Sequence, residues 1–296
     1  MSAIGSDPDS PFRARAITRD VNSEKAQALA KLGVELVAAD IDDEASLSAA
    51  LEGAYGAYFV TFFWAHFSPE QEKAEVLNMA RAAKNAGIKH IIWSTLEDTR
   101  ERIPLSDNRM PTLMGEYKVP HFDAKGESNS VFTQMGLPTT FLYTSFYWDN
   151  LIHFDMGPKK GPDGTLAFTL PMGVKKLPSI AAEDIGQCAL GIFKNGAEYI
   201  GKSVGIAGEH LTGAQMAKAL STALGKQVEY NAVSPDVYRS FGFPGADDLG
   251  NMFQFMHDFE REFCARRDIE LSRALNPELH TFANWLRLNK DRIPLE

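Results

Sequence analysis

The chain has 296 residues, of which 44% are hydrophobic and 23% are charged, and its formal net charge is −9 at pH 7. This composition is typical of a soluble globular protein with one large α/β domain or two unequal ones. The acidic balance without a polybasic run excludes a nucleic-acid surface, and the two isolated cysteines, Cys188 and Cys264, exclude a disulfide framework.

No targeting, membrane or metal-binding signal stands out. The first residues show no signal-peptide pattern, and no apolar run is long enough to span a bilayer. Five histidines lack metal-ligand spacing, namely His66, His153, His210, His257 and His280. We therefore expect a cytoplasmic protein with no membrane partner, no nucleic-acid partner and no metal.

The first half of the chain predicts alternating strands and helices after a polar, frayed start over residues 1–11. Predicted strands cover 12–18, 34–39, 57–61, 89–94 and 139–144. Predicted helices cover 23–32, 44–51, 69–85 and about 120–135. This alternation with short connections indicates right-handed crossovers and a parallel sheet.

The second half predicts fewer strands and more helices. A glycine- and proline-containing loop over 157–164 indicates a hairpin or a domain crossing. Strands are predicted over 167–170, 203–207 and 227–230. Helices are predicted over 182–194, 212–224, 247–263 and 281–289.

Polar side chains stand at or just beyond the carboxyl ends of the predicted strands, namely Arg19, Asp40, Thr61, Ser94, Tyr147 and Asn150. In an open parallel sheet, ligands bind beyond these ends, so the pattern indicates a dinucleotide crevice. An arginine at the position of Arg19 can pair with the 2′-phosphate of NADP, and the alternative is a surface arginine beside Asp20. Asp40 can hold the adenine amino group or cap the following helix, although Asp42 or Asp43 would suffice for the cap.

Two further stretches carry candidate residues. Thr61, Phe62, Phe63 and Trp64 form an aromatic loop that suits stacking beside a flat ring, or simply core packing. Pro120 can start a helix on which His121 and Lys125 share one face. Lys125 could then bind a ribose hydroxyl while His121 approaches the nicotinamide. The alternative is a solvated helix face.

These segments together resemble the NmrA-like family, an atypical branch of the short-chain dehydrogenase/reductase superfamily. The resemblance runs from about Phe12 almost to the C-terminus. The matching segments are 15–20, 88–94, 119–127, 146–150, 242–253, 267–271 and 275–277. The C-terminal segments are most similar to the branch that contains a human NADPH-sensing member.

The resemblance implies a Rossmann-like NAD(P)-binding domain over residues 1–150 and a smaller, helix-rich second domain over 151–296. The chain would cross back between the two. The implied cofactor is NADP, in its reduced form NADPH. Family contacts to it map onto Arg19, Asp40, Ile41, Thr61, Phe62, Phe63, Lys125, Tyr147, Trp148, Asp149 and Asn150.

In the superfamily a Tyr-x-x-x-Lys pair carries the chemistry, and here His121 takes the tyrosine position while Lys125 is retained. Members with this replacement are regarded as redox sensors or regulators that report the NADP(H) state through a protein partner. The alternative is an NAD(P)H-dependent reductase, similar to quinone or isoflavone reductases, with Ser94 or His121 near the substrate. The resemblance leaves a homodimer open.

Two departures from the family pattern stand out. The family opens with a strand and a Gly-x-x-Gly-x-x-Gly turn that approaches the pyrophosphate, and neither is found here. A late start codon is favoured over a truncated chain or a natural remnant. We therefore expect a sheet that lacks its first strand, reduced stability, and weak or no NADP(H) binding by these residues. The second departure is Ala74, where the human-type branch has a lysine, although Lys73 is adjacent.

Overall fold

The structure, a computed structural model, describes Ile4, residues 10–161 and residues 164–295. Most of the predicted frayed start and part of the predicted 157–164 loop lie outside the described residues. The first half contains β1 (Arg15–Thr18), α1 (Glu24–Ala30), β2 (Glu35–Ala38), α2 (Glu44–Leu51), β3 (Gly56–Phe59), α3 (Pro69–Asn85), β4 (His90–Thr95), α4 (Pro120–Gln134) and β5 (Thr139–Tyr143).

The second half has short strands and most of the remaining helices. Its elements are β6 (Phe146–Tyr147), α5 (Asn150–His153), β7 (Lys159–Lys160), β8 (Leu166–Leu170), β9 (Lys176–Ile180), α6 (Ala182–Lys194), β10 (Ser203–Gly205), β11 (Glu209–Thr212), α7 (Gly213–Leu224), β12 (Val228–Ala232), α8 (Pro235–Arg239), α9 (Ala246–Asp258), α10 (Glu260–Arg266), α11 (Ile269–Leu275) and α12 (Phe282–Asn289). Within the described ranges, no helix is both long and apolar enough to cross a bilayer.

Two separate parallel ladders organise the first half. β1 pairs with β2, and a four-stranded sheet has the order β10-β5-β4-β3. No ladder joins β1 to β3 in the part of the chain that the structure describes. The predicted α/β class with a parallel sheet is confirmed.

Two three-stranded sheets belong mainly to the second half. Their orders are β11-β9-β6 and β12-β8-β7, and each contains one antiparallel pair. They pack on a large apolar core that includes Trp148, Phe168, Phe253 and Phe282. A second core, with Trp93 and Phe132 at its centre, lies under the four-stranded sheet.

The helix α3 shows how local signals place the site residues. The Ser68 hydroxyl accepts a hydrogen bond from the Gln71 backbone N–H at 3.1 Å, and Pro69 occupies the first helical position. Gly87 follows the helix with a φ of 66°, which an L side chain rarely adopts. On this helix Glu72 and Glu75 are three residues apart and are buried on one face.

The structure corrects several predicted elements. The predicted helix over 247–263 is two helices, because the chain breaks at Phe259 with φ −114° and ψ 31°. The strands β9 and β11 were not predicted, since Pro178 lies inside β9 and β11 is short and largely polar. The first strand begins at Arg15 rather than at Phe12.

Acidification should destabilise the fold through His90. This side chain is fully buried, with Nε2 2.8 Å from the Thr140 hydroxyl, which itself donates to the Tyr199 carbonyl. Burial lowers the pKa of His90, so below about pH 6.5 the unfolded chain takes up a proton that the folded chain does not. We expect denaturant titrations to show that the free energy of unfolding falls less between pH 7 and pH 5.5 in His90→Gln than in the parent. The exposed His153→Gln is the control, and an identical loss in both variants would contradict the assignment.

Candidate functional site

Lys125 is buried at the carboxyl edge of the four-stranded sheet. Its Nζ lies 2.6 Å from Glu72 Oε1, donates to the Thr61 carbonyl at 3.2 Å and donates to the Thr61 hydroxyl. It also lies 5.3 Å from the centre of the Trp93 ring. Burial lowers the pKa of Lys125, and the Glu72 carboxylate opposes that shift. The helix face is therefore not a solvated one, and all three Nζ protons have partners.

Glu72 is the acidic partner of Lys125 and was not among the predicted site residues. Its side chain is fully buried, and the Thr61 hydroxyl donates to its Oε1 at 2.5 Å. Within the described residues, its second oxygen, Oε2, accepts no hydrogen bond. That oxygen faces His66, whose Nε2 is 3.9 Å away.

His66, Glu72 and Glu75 form a compact group, with side-chain ligand atoms within 4.8 Å of one another. The backbone N–H of Ser68 donates to His66 Nδ1 at 3.0 Å, so the ring proton of the neutral histidine lies on Nε2. Nε2 is 3.5 Å from Glu75 Oε1, and burial raises the pKa of that carboxyl. The histidine therefore presents an N–H to two carboxylates rather than a lone pair to a metal.

His121 makes a short hydrogen bond to Asp248 of α9, with Nδ1 2.7 Å from Asp248 Oδ1. The backbone N–H of His121 donates to the other oxygen, Oδ2, at 3.2 Å. Both side chains are buried. In the described part of the chain His121 Nε2 has no hydrogen-bond partner, and it is not among the fully enclosed polar atoms.

Aromatic rings surround the His121 imidazole. The ring centres of Trp64 and Phe122 lie 4.8 Å from it, and that of Phe63 lies 6.0 Å away. Phe63 is buried, whereas Phe62 is 57% exposed and points to solvent rather than into this group. The aromatic loop is thus divided between a wall beside His121 and a surface residue.

The N-terminal end of α4 is held from two sides. The Asp123 carboxylate accepts hydrogen bonds from the backbone N–H groups of Thr99, Lys118 and Val119 at 2.7–3.0 Å. On α9, the amide of Asn251 donates to the Lys118 carbonyl at 2.6 Å. Asp248 and Asn251 of α9 therefore connect the second half of the chain to the helix that carries His121 and Lys125.

Arg19 and Asp40 lie at the ends of β1 and β2. Arg19 is exposed, and its guanidinium makes no hydrogen bond or ion pair with the described residues. The cap of α2 is Asp43, so Asp40 is not needed for that purpose. Asp40 is half-buried and accepts the Asp42 backbone N–H at 3.1 Å, and Ile41 packs partly into the core.

The later candidates are divided between the sheet edge and the core. Ser94 is buried next to Tyr58 at the end of β4, and Tyr147 lies 3.1 Å from the Thr144 hydroxyl. Trp148 is fully buried against Phe282 and Trp285 and offers no surface to a ligand. The Asp149 carboxylate accepts the Ala182 backbone N–H at 2.8 Å, and the half-buried Asn150 begins α5.

The structure thus joins Thr61, Lys125, Phe63 and His121 into one site and adds Glu72 and Asp248. Glu72 had a weak signal, since it shares a helix face with Glu75 next to Lys73. Asp248 had none, because it lies 127 positions from His121. Pairings of that length leave no local sequence pattern.

Comparisons with known proteins show which proteins this chain resembles. A family model described as "NmrA-like family" matches residues 6–286. An NmrA-like family domain-containing protein of Dictyostelium discoideum is 25% identical over 239 residues, which cover 78% of this chain and 75% of that protein. An NAD(P)H azoreductase of Xenophilus azovorans is 29% identical over 226 residues, which cover 76% and 69%. The solved structure of NmrA, a negative transcriptional regulator, in complex with NADP is 25% identical, with a TM-score of 0.74 over 92% of this chain and 86% of that one.

Proposed function

Because this chain belongs to the NmrA-like family, we propose that it binds NADP(H) at the carboxyl edge of its parallel sheet and acts as a regulator that responds to the state of this dinucleotide. The observation that carries this proposal is the contact of α9 with the N-terminal end of α4. Asp248 holds His121 and Asn251 holds the Lys118 carbonyl. A ligand that moves α4 would therefore also move α9, and a protein partner could recognise that change.

The side chains at the sheet edge fit the chemistry of the dinucleotide. Lys125 offers N–H donors to a ribose hydroxyl, although a bound ribose would have to replace one of its present partners. Asp40 offers acceptors to an adenine amino group, and Arg19 offers an unpaired guanidinium to a 2′-phosphate. When bound, the reduced nicotinamide supplies a hydride, which the regulatory function does not require.

The affinity of this chain for NADP(H) should be modest. Its 296 residues contain no Gly-x-x-Gly-x-x-Gly turn, whose backbone N–H groups would approach the pyrophosphate. Binding then depends on the adenosine and ribose contacts. We propose that a version preceded by a strand and such a turn binds NADPH more tightly than this chain, and paired calorimetric titrations compare the two.

Hydrogen exchange of the backbone amides tests the regulatory proposal. NADPH at saturating concentration should slow exchange in α4 and also in α9, since the two helices are joined by Asp248 and Asn251. The variant Asn251→Ala should retain the change in α4 and weaken the change in α9. Binding that leaves α9 unchanged would contradict the regulatory route, and no binding at all would contradict the cofactor assignment.

Arg19→Glu should reduce the preference for NADPH over NADH. Loss of a charge-assisted hydrogen bond to the 2′-phosphate costs about 1.5–3 kcal/mol, so NADPH affinity should fall about tenfold or more. NADH affinity should hardly change, because NADH carries no 2′-phosphate. Calorimetry with both ligands checks this, with the exposed Arg13→Glu as the control for charge. Equal losses for NADPH and NADH would contradict the role of Arg19.

A reductase is the second candidate function. It is favoured by the position of His121, which lies on the same helix as Lys125. The free Nε2 of His121 is close to aromatic rings. The azoreductase named above is a relative of this kind. NADPH oxidation against a panel of quinones and azo dyes separates this function from binding without turnover.

A further inference from the structure

We propose that His121 and Asp248 form an acid–base pair that transfers a proton to a flat, unsaturated acceptor during its reduction. In this pair His121 is the catalytic residue, and Asp248 is a positioning residue contributed by the distant helix α9. The activity goes beyond the regulatory function, and it rests on the proposed binding of NADP(H) at the same sheet edge.

The hydrogen bonds of Asp248 set the orientation of the imidazole. One carboxylate oxygen binds the His121 backbone N–H at 3.2 Å and the other binds the ring at Nδ1, at 2.7 Å. A carboxylate only accepts hydrogen bonds, so the Nδ1 proton must point to Asp248. Nε2 is therefore the nitrogen left to give or take a proton, and the buried carboxylate stabilises the imidazolium that results.

The surroundings of Nε2 suit a reacting atom. In the described part of the chain this nitrogen has no partner, and it is not among the fully enclosed polar atoms. Lys125 lies one helical turn further along α4 and would hold the ribose that carries the nicotinamide. The acid–base nitrogen and the dinucleotide would thus approach the acceptor from the same helix face.

The aromatic rings indicate which acceptor would fit. Trp64 is half-buried and lies 4.8 Å from the His121 ring, and the rings of the buried Phe63 and Phe122 lie 6.0 and 4.8 Å from it. A planar conjugated molecule beside His121 would meet these aromatic rings. Quinones and azo compounds are of this class, because they take up a hydride at one end of a conjugated system and a proton on oxygen or nitrogen at the other.

The reduction balances with one proton from His121. The reduced nicotinamide supplies a hydride, which carries two electrons, and is oxidised. The acceptor is reduced, and the Nε2–H bond of the imidazolium breaks as an O–H or N–H bond forms on the acceptor. His121 is left neutral, with the proton on Nδ1 still donated to Asp248, and Nε2 recovers its proton from water.

Turnover of the Asp248→Asn variant tests the pair. The amide keeps the size of the side chain but removes its charge, so kcat for NADPH oxidation with 1,4-benzoquinone or methyl red should fall at least about a hundredfold. The KM for NADPH should stay within about twofold, because His121 and Asp248 do not hold the dinucleotide. Asp247→Asn is the matched control, since it removes the same charge from an exposed residue on the same helix turn. If Asp248→Asn does not fold, His121→Gln gives the same readout.

NMR of histidine-labelled protein supplies a measurement independent of turnover. The 15N shifts of the His121 ring should show a proton on Nδ1 in the parent, and this tautomer should be lost or mixed in Asp248→Asn. Equal kcat values in Asp248→Asn and Asp247→Asn would overturn the proposal, as would NADPH binding without turnover of either acceptor. Failure to bind NADPH would instead overturn the proposed function, and calorimetry makes that distinction.

Discussion

Replacing Glu72 with glutamine is expected to lower the free energy of unfolding by about 3–5 kcal/mol. Glu72 and Lys125 are both buried, and their side chains approach to 2.6 Å. The glutamine would leave the ammonium of Lys125 with only the more weakly interacting Glu75 as a negative neighbour, in a site where burial already lowers the pKa of Lys125. An uncompensated buried charge is costly, which is why removing one partner costs more than the pair contributes.

The pH dependence of stability and a double variant test whether the unpaired charge of Lys125 destabilises Glu72→Gln. In Glu72→Gln, the folded-state pKa of Lys125 should lie further below its unfolded value of about 10.4. Between those two values the unfolded chain binds more protons, so stability rises with pH, and the deficit should shrink as pH approaches about 10. Glu72→Leu with Lys125→Met should recover much of the loss. A double variant as unstable as Glu72→Gln would rule out an unpaired charge as the reason.

Arg267→Ala should lower the free energy of unfolding by a similar amount, about 3–5 kcal/mol, because Arg267 joins the C-terminal part of the chain to Glu97 and Thr144. Arg267 is fully buried, and its guanidinium forms paired hydrogen bonds to both oxygens of Glu97 at 2.7 and 3.0 Å. Its Nε donates to the Thr144 carbonyl at 2.7 Å, and its carbon Cζ lies 3.4 Å from the centre of the Phe263 ring. Alanine would remove all of these contacts and leave Glu97 with only the longer, partly exposed ion pair to Arg266 at 3.8 Å.

Two neighbouring variants serve as comparisons for Arg267. Arg266→Ala changes an adjacent arginine that is 45% exposed and 3.8 Å from Glu97, and it should cost less than about 1 kcal/mol. Arg267→Lys keeps the charge but cannot make the paired contact with Glu97, so its stability should lie between the two alanine variants. Urea titrations measure all three. Similar decreases in the free energy of unfolding for Arg266→Ala and Arg267→Ala would contradict a stabilising role for the buried, paired contact of Arg267 with Glu97.

Local chemistry was sufficient to predict the regular elements of the first half. The bounds of α3 follow from Ser68, Pro69 and Gly87, and both they and those of α6 (182–194) agree with the sequence-based ranges. The failures lie where tertiary packing overrides local preference. β9 carries a proline in its interior, and the turn at Phe259 divides one amphipathic stretch into two helices.

The site was predicted only as far as strand ends and helix spacing allow. The positions of Thr61 and Lys125 follow from those two rules, and the structure brings them into contact. What the sequence could not provide is the partner of each charged group. The packing of α3 and α9 against α4 brings Glu72 to Lys125 and Asp248 to His121. Trp148 follows a predicted strand end in sequence, yet it belongs to the core of the second half.

The separation of the two parallel ladders has a consequence for motion. The unit formed by β1, α1 and β2 has a small core on one face, built on Ala14, Ala16 and Val34, while Ile17 and Val37 pack against the second core. Because no ladder joins β1 to β3 within the described residues, this unit should open more readily than the four-stranded sheet, and its amides should exchange fastest among the strands. Arg19 and Asp40 follow the two strands of this unit, whereas Lys125 lies on α4 beside the four-stranded sheet. A dinucleotide that contacts all three residues would link the two ladders. Part of its binding free energy would be offset by the entropy lost when it orders the unit that holds the adenosine.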